Sequence, residues 1–118
     1  MSNIESSVQN ILNEIGVPLH IPGGPYLREA ICIAVDNPGV MNAIDEMLYP
    51  QVAKIFQTKP PRVDRQIRYA IEIACDRGDL DTLQKFFGPT VTDSKSKPST
   101  SGLITHIAEY VKNQQDNT

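Results

Sequence analysis

Along most of this chain apolar residues recur three and four positions apart, and each such stretch is cut off by a proline or a glycine. A repeat near 3.6 places side chains on one stripe of a helix, whereas a repeat of two would line one face of a strand. No convincing period-two run is bounded by hairpin turn residues. An all-α fold is therefore expected, a compact bundle of about six helices containing a helix-turn-helix. With 118 residues, a single domain spanning residues 1–118 is the expected organisation.

The punctuation sets the elements. A first helix is predicted over about residues 4–15, with Ile4, Val8, Ile11, Leu12 and Ile15 on one stripe and Gly16 as its stop. Residues 17–24, with two prolines and two glycines, read as a loop. A second helix, about residues 25–36, begins at Pro25, where the missing N–H is harmless, and turns Leu27, Ile31, Ala34 and Val35 inward. Asn37-Pro38-Gly39 ends it. A third stretch, about residues 40–48, stops ahead of Pro50, because the residue before a proline is pushed out of the helical region. Further helices are predicted over about residues 50–57, 61–76 and 80–87. Residues 90–101 read as a loop, and a last helix over about 102–112 carries Leu103, Ile104, Ile107, Ala108 and Val111.

Charge is distributed unevenly. The chain as a whole carries −3, which by itself argues against nucleic acid, since sequence-independent affinity for DNA comes from Lys and Arg neutralising phosphates. Yet residues 1–53 hold one cation, Arg28, against Glu5, Glu14, Glu29, Asp36, Asp45 and Glu46, while residues 54–68 hold Lys54, Lys59, Arg62, Arg65 and Arg68 against Asp64 alone. One short basic segment on an acidic domain is the footprint of a localised polyanion-binding face.

That segment lies within residues 50–76, which read as short helix, turn and longer helix, the order of a DNA-binding helix-turn-helix. Val52, Ala53 and Phe56 form the inner face of the first helix, with small Ala53 where the second crosses closely. In the second helix Val63, Ile67, Ala70, Ile71 and Ala74 make one stripe, and Arg62, Arg65, Arg68, Tyr69 and Glu72 fall opposite. Arginines in the first two turns suit major-groove reading, because a guanidinium donates two hydrogen bonds to guanine O6 and N7. Asp64 is placed to accept from a cytosine amino group or to brace an arginine, while Lys54 and Lys59 suit phosphate contacts. A solvated basic face on a core helix fits the same pattern.

The segments Glu14-Ile-Gly-Val-Pro, Tyr26-Leu-Arg-Glu-Ala-Ile, Leu48-Tyr-Pro, Val52-Ala-Lys, Arg62-Val, Arg65, Ile67-Arg68, Ala70-Ile-Glu and Arg77-Gly together resemble the C-terminal effector domains of the stage-zero sporulation master response regulators of endospore-forming bacteria. The likeness runs from about residue 4 to residue 111 and includes loops and prolines as well as the motif. It implies the effector half of a phosphorylation-controlled transcription factor, without the amino-terminal receiver domain. It also implies that the second motif helix reads a short DNA box, often in head-to-tail tandem copies, through Arg62, Asp64, Arg65, Arg68 and Tyr69. Contact with the sigma subunit of RNA polymerase is implied for residues 78–91, including Gly78, Asp79, Asp81, Thr82, Gln84 and Phe87. Two departures stand out. Pro61 and Asp64 replace the Ser and Glu of the family's capping box, so the helix start is expected to be made differently. Tyr69 stands where His is usual, with a hydroxyl that can hydrogen-bond a phosphate.

Tyr26 and Arg28, near a helix start that follows Gly23-Gly24, are expected to touch the DNA backbone, with Lys95 and Lys97 as weaker candidates. The last helix, through Ile107, Ala108 and Val111, is a candidate surface for contact between tandem copies. Cys32 and Cys75 sit in apolar helical patterns and read as reduced, core-type thiols. His20 and His106 have no second ligand at i+3 or i+4, so no metal and no cofactor is expected. Acid pairs such as Asp79 with Asp81 lack a pocket motif, and an enzyme is not expected. The absence of a membrane span and of a secretory start makes a cytoplasmic location the expectation. A helical protein-interaction domain with a basic face for an acidic partner is the other functional class compatible with the residues.

Overall fold

The computed structural model describes residues 3–77, 80–87 and 99–116. Within them α1 spans Asn3–Glu14, α2 Gly23–Asp36, α3 Tyr49–Ile55, α4 Pro60–Arg77, α5 Leu80–Phe87 and α6 Thr100–Asp116. No strand occurs among the described residues, so the fold is all-α with six helices as expected.

The stretch between α2 and α3 departs from expectation. In place of one α-helix there are a 3-10 helix, Pro38–Asn42, and a π-helical turn, Ile44–Leu48. Asn37 starts the first, its side-chain oxygen accepting from the Gly39 N–H at 3.2 Å. Ala43 then breaks the path with φ −151° and ψ 72°. A cause lies in the sequence, because Pro50 has no N–H to offer the carbonyl four residues back, and the wider π turn instead bonds the Tyr49 N–H to the Ile44 carbonyl. Val40 and Leu48 both reach the core across this break, each fully buried.

Helix ends elsewhere follow local chemistry. Gly16 takes φ +87°, and the Val17 N–H bonds the Leu12 carbonyl at 2.9 Å while the Gly16 N–H bonds Asn13 at 3.2 Å. This is a Schellman closure, with Val17 buried as its apolar contact. At the other end of the chain, the Ser99 hydroxyl accepts from the Gly102 N–H at 3.0 Å and caps α6.

Helix α2 occupies the centre, packing against α1, α4 and α6. Its Leu27, Ala30 and Ile31 are fully buried and share one core with Ile67 and Ala70 of α4 and Ile104 and Ile107 of α6, which are equally buried. Each of the larger side chains contributes about 1.5–3 kcal/mol by leaving water. A radius of gyration of 13.2 Å agrees with the ~13.5 Å of a compact domain of this length.

The candidate tandem surface on α6 is corrected by this packing. Ile107 and Val111 are fully buried and Ala108 is 7% exposed, so these residues form the inner stripe of α6 and not an outer surface. The stripe is covered by the helices packed on α6, which are α2, α5 and α1.

Candidate nucleic-acid interface

Helix α3, the four residues 56–59 and helix α4 give the expected sequence of short helix, turn and longer helix. Val52 and Ala53 point inward at 0% and 3% exposure, and Lys54 and Ile55 point outward. The turn is a second Schellman closure. Thr58 N–H bonds the Ala53 carbonyl at 2.9 Å and Gln57 N–H bonds Lys54 at 3.3 Å, with Gln57 at φ +54°. Here a glutamine occupies the left-handed position that glycine usually fills.

The start of α4 explains how the helix manages without the family's capping box. Its first two residues, Pro60 and Pro61, have no N–H to leave unsatisfied, and the next two amides, Arg62 and Val63, both bond the Lys59 carbonyl at 3.0 and 3.2 Å. Val63, Ile67, Ala70, Ile71 and Ala74 are then 0–4% exposed, the stripe read from the sequence. Arg62, Arg65, Arg68, Tyr69 and Glu72 are all exposed on the other side. Asp64, on the flank, accepts a hydrogen bond from Arg68 Nε at 3.1 Å, the side chains being 29% and 70% exposed.

Two contacts that the sequence reading missed hold the motif on α2. Gly23 lies against the backbone of α4, where an added Cβ would collide with the Gln66 carbonyl group and come within 2.9 Å of Ala70 Cβ. A Cβ on Gly24 would likewise lie 2.9 Å from Leu19 Cα. These glycines are required by close backbone approach. Their signal was the pair itself, read as a loop although α2 already begins at Gly23. The second contact is Tyr26, 6% exposed, whose ring centroid lies 4.9 Å from that of Phe56 in the turn. Tyr26 thus supports the motif from beneath, and its ring is not on the outer surface proposed for phosphate contact.

Arg28 is directed toward α1. Its Nη1 donates to Gln9 Oε1 at 3.2 Å, and its Nε lies 3.4 Å from Glu29, buried and without hydrogen-bond geometry to any partner. Lys54 and Lys59 are exposed on either side of the turn. Lys95 and Lys97 lie outside the described residues, as do Gly78 and Asp79 and the side chain of Phe87. On α5, Asp81 is exposed and Thr82 and Gln84 are half-buried. The helix is held to the bundle by Phe86, 1% exposed and edge-on to Tyr110 at 5.2 Å, while the exposed Lys85 lies 4.0 Å from Glu14.

An open cleft of about 500 Å³ adjoins Arg68, between the π turn, α4 and the start of α6. Tyr49 lines it at 3% exposure, and burial, followed by the Asp64 and Asp45 carboxylates, pushes its phenol up to about 12, with Arg68 opposing. Asp45 and Glu72 share the lining with Arg68, so the cleft lacks the positive balance of an anion site. Cys75 is buried and Cys32 half-buried, neither in a disulfide; burial, reinforced by Glu29 and Glu5, pushes the Cys32 thiol up to about 12. Among the described residues no group of three or more His, Cys, Asp or Glu could hold a metal ion, and no helix is long and apolar enough to cross a membrane.

The chain is an all-α domain of six helices, and its short helix, tight turn and longer helix with three outward arginines are consistent with a helix-turn-helix arrangement. Within that class, the family model described as sporulation initiation factor Spo0A C terminal matches residues 8–111, and the chain belongs to that family. Membership carries a DNA-binding effector role in transcription regulation during sporulation.

Proposed function

We propose that this domain binds double-stranded DNA sequence-specifically, laying α4 in the major groove. Arg62, Arg65 and Arg68 face base edges, with Asp64 and Tyr69 on the same face, and Lys54 and Lys59 hold phosphates. The observation that carries this reading is the outward row of three arginines on α4, in a chain whose overall charge is negative. DNA-bound copies sit in tandem. The exposed part of α5, with Asp81, Thr82 and Gln84, and the adjoining Gly78, Asp79 and Phe87, meets the sigma subunit of RNA polymerase. Such a protein works in the cytoplasm, with no membrane partner and no catalytic step of its own.

Fluorescence anisotropy of a labelled duplex carrying a guanine-containing box, beside a scrambled duplex, tests the proposal. The box should be preferred, and Arg65→Ala should lose about 1–3 kcal/mol of that preference, while Lys59→Ala weakens both duplexes alike. Equal binding to both duplexes by the unaltered chain, or none, would replace base reading with a protein-interaction role for the basic face.

A further inference from the structure

We infer that Asp64 is not a base reader but a positioning residue, which fixes the guanidinium of Arg68 so that the two side chains read one base pair as a unit. This inference rests on the DNA-reading function proposed above. Residues 64 and 68 lie on successive turns of α4, and the Asp64 carboxylate accepts the Nε–H of Arg68 at 3.1 Å. Nε is the lateral donor of the guanidinium. Its engagement leaves the two terminal amino groups free, and these end-on donors can meet O6 and N7 of a guanine together. Bracing and reading are therefore compatible on one side chain.

Exposure separates the roles in the same way. The Arg68 side chain is 70% exposed and the Asp64 side chain 29%, so the carboxylate is recessed on the flank while the guanidinium projects. Oδ1 of Asp64 is held by Arg68, and reaching past that partner to a cytosine amino group would carry the recessed carboxylate out toward the negative phosphates. An exposed pair four residues apart contributes little to folding. Its consequence falls on the bound complex, where a guanidinium already held in one orientation loses less freedom on docking.

A double-mutant comparison distinguishes the pair from two independent readers. The probe is the duplex that the unaltered chain enriches from a randomised pool, together with its complete set of single base-pair substitutions. Arg68→Ala should lower discrimination at one base pair by about 5- to 150-fold, the range for one bidentate arginine–guanine contact. Asp64→Ala should lower discrimination at that same base pair and add nothing when Arg68 is already alanine. Because it removes a negative charge near phosphates, Asp64→Ala should also bind a scrambled duplex more tightly than the unaltered chain does, which loss of a merely structural residue would not produce. Should Asp64→Ala alter a different base pair, should the double variant lose the product of the two single effects, or should binding to the scrambled duplex fall, the positioning role is overturned while the DNA-reading function stands. If the unaltered chain enriches no duplex from the pool, both are overturned.

Discussion

At Gln57 the backbone turns left-handed with a side chain in place, a conformation that costs an L-residue roughly 1–2 kcal/mol relative to glycine. Glycine there would lose more freedom on folding, which offsets part of the gain. Gln57→Gly is expected to raise stability by up to about 1 kcal/mol, and Gln57→Val, β-branched at the same φ, to lower it; thermal unfolding followed by circular dichroism checks both. Two other residues bear on stability at alkaline pH. Cys32 and Tyr49 have ordinary values of 9.0 and 10.0 and native values of about 12, so the unfolded chain ionises first as pH rises. Their contribution is complete below about pH 9 and declines as pH climbs toward 12. Urea midpoints should fall over that window, less steeply in Tyr49→Phe.

At the scale of elements, the position of α4 depends on a crossing that tolerates no side chain. Gly23→Ala forces a methyl against the Gln66 carbonyl group and Ala70, neither of which is a flexible end that can move aside. A loss of about 1–3 kcal/mol or more is expected in urea unfolding, in contrast to Lys54→Ala on the exposed face of α3, which should leave the midpoint within about 0.5 kcal/mol. Tyr26 and Phe56 join the same two layers by ring contact. Together the two contacts seat the turn and the middle of α4 on α2, and the row of arginines inherits its orientation from that seating.

Over the whole molecule, charge and burial divide the surface into faces. The acidic N-terminal half and the basic segment 54–68 belong to one bundle, so DNA binding depends on local field and not on net charge. Affinity should fall linearly with log salt concentration at about 0.9 per phosphate neutralised, and replacing Lys59 should reduce that slope by about 1, as a titration at several salt concentrations would reveal. The tandem contact proposed above would have to use surface other than the inner stripe of α6. Ala108→Asp would place a carboxylate on that stripe against α2, at a cost of about 3 kcal/mol, and its visible effect should be unfolding and not a selective loss of cooperativity.

The positions of the six α-helices, the buried stripe of α4 and the outward arginines were legible in the residues alone, because a 3.6 period and a proline or glycine stop are local properties of a chain. The α6 stripe was legible as apolar, but its partner was not. A stripe has the same appearance whether it meets another helix of its own chain or a second copy, and only the folded bundle shows α6 packed on α2, α1 and α5 with Ile107 and Val111 buried. The break at Ala43 was hidden for a related reason, since Val40 and Leu48 satisfy a helical pattern individually while the core and Pro50 dictate the path between them. Likewise Gly23-Gly24 and Tyr26 advertised a phosphate-binding helix start, yet Gly23 and Tyr26 serve contacts with residues some thirty or more positions away, and Gly24 a close approach to the preceding loop. The sequence by itself determined which elements form and which face of each is apolar. Which surfaces remain outside was decided only in the tertiary structure, because burial is a property of pairs of elements and no single stretch of chain contains its own partner.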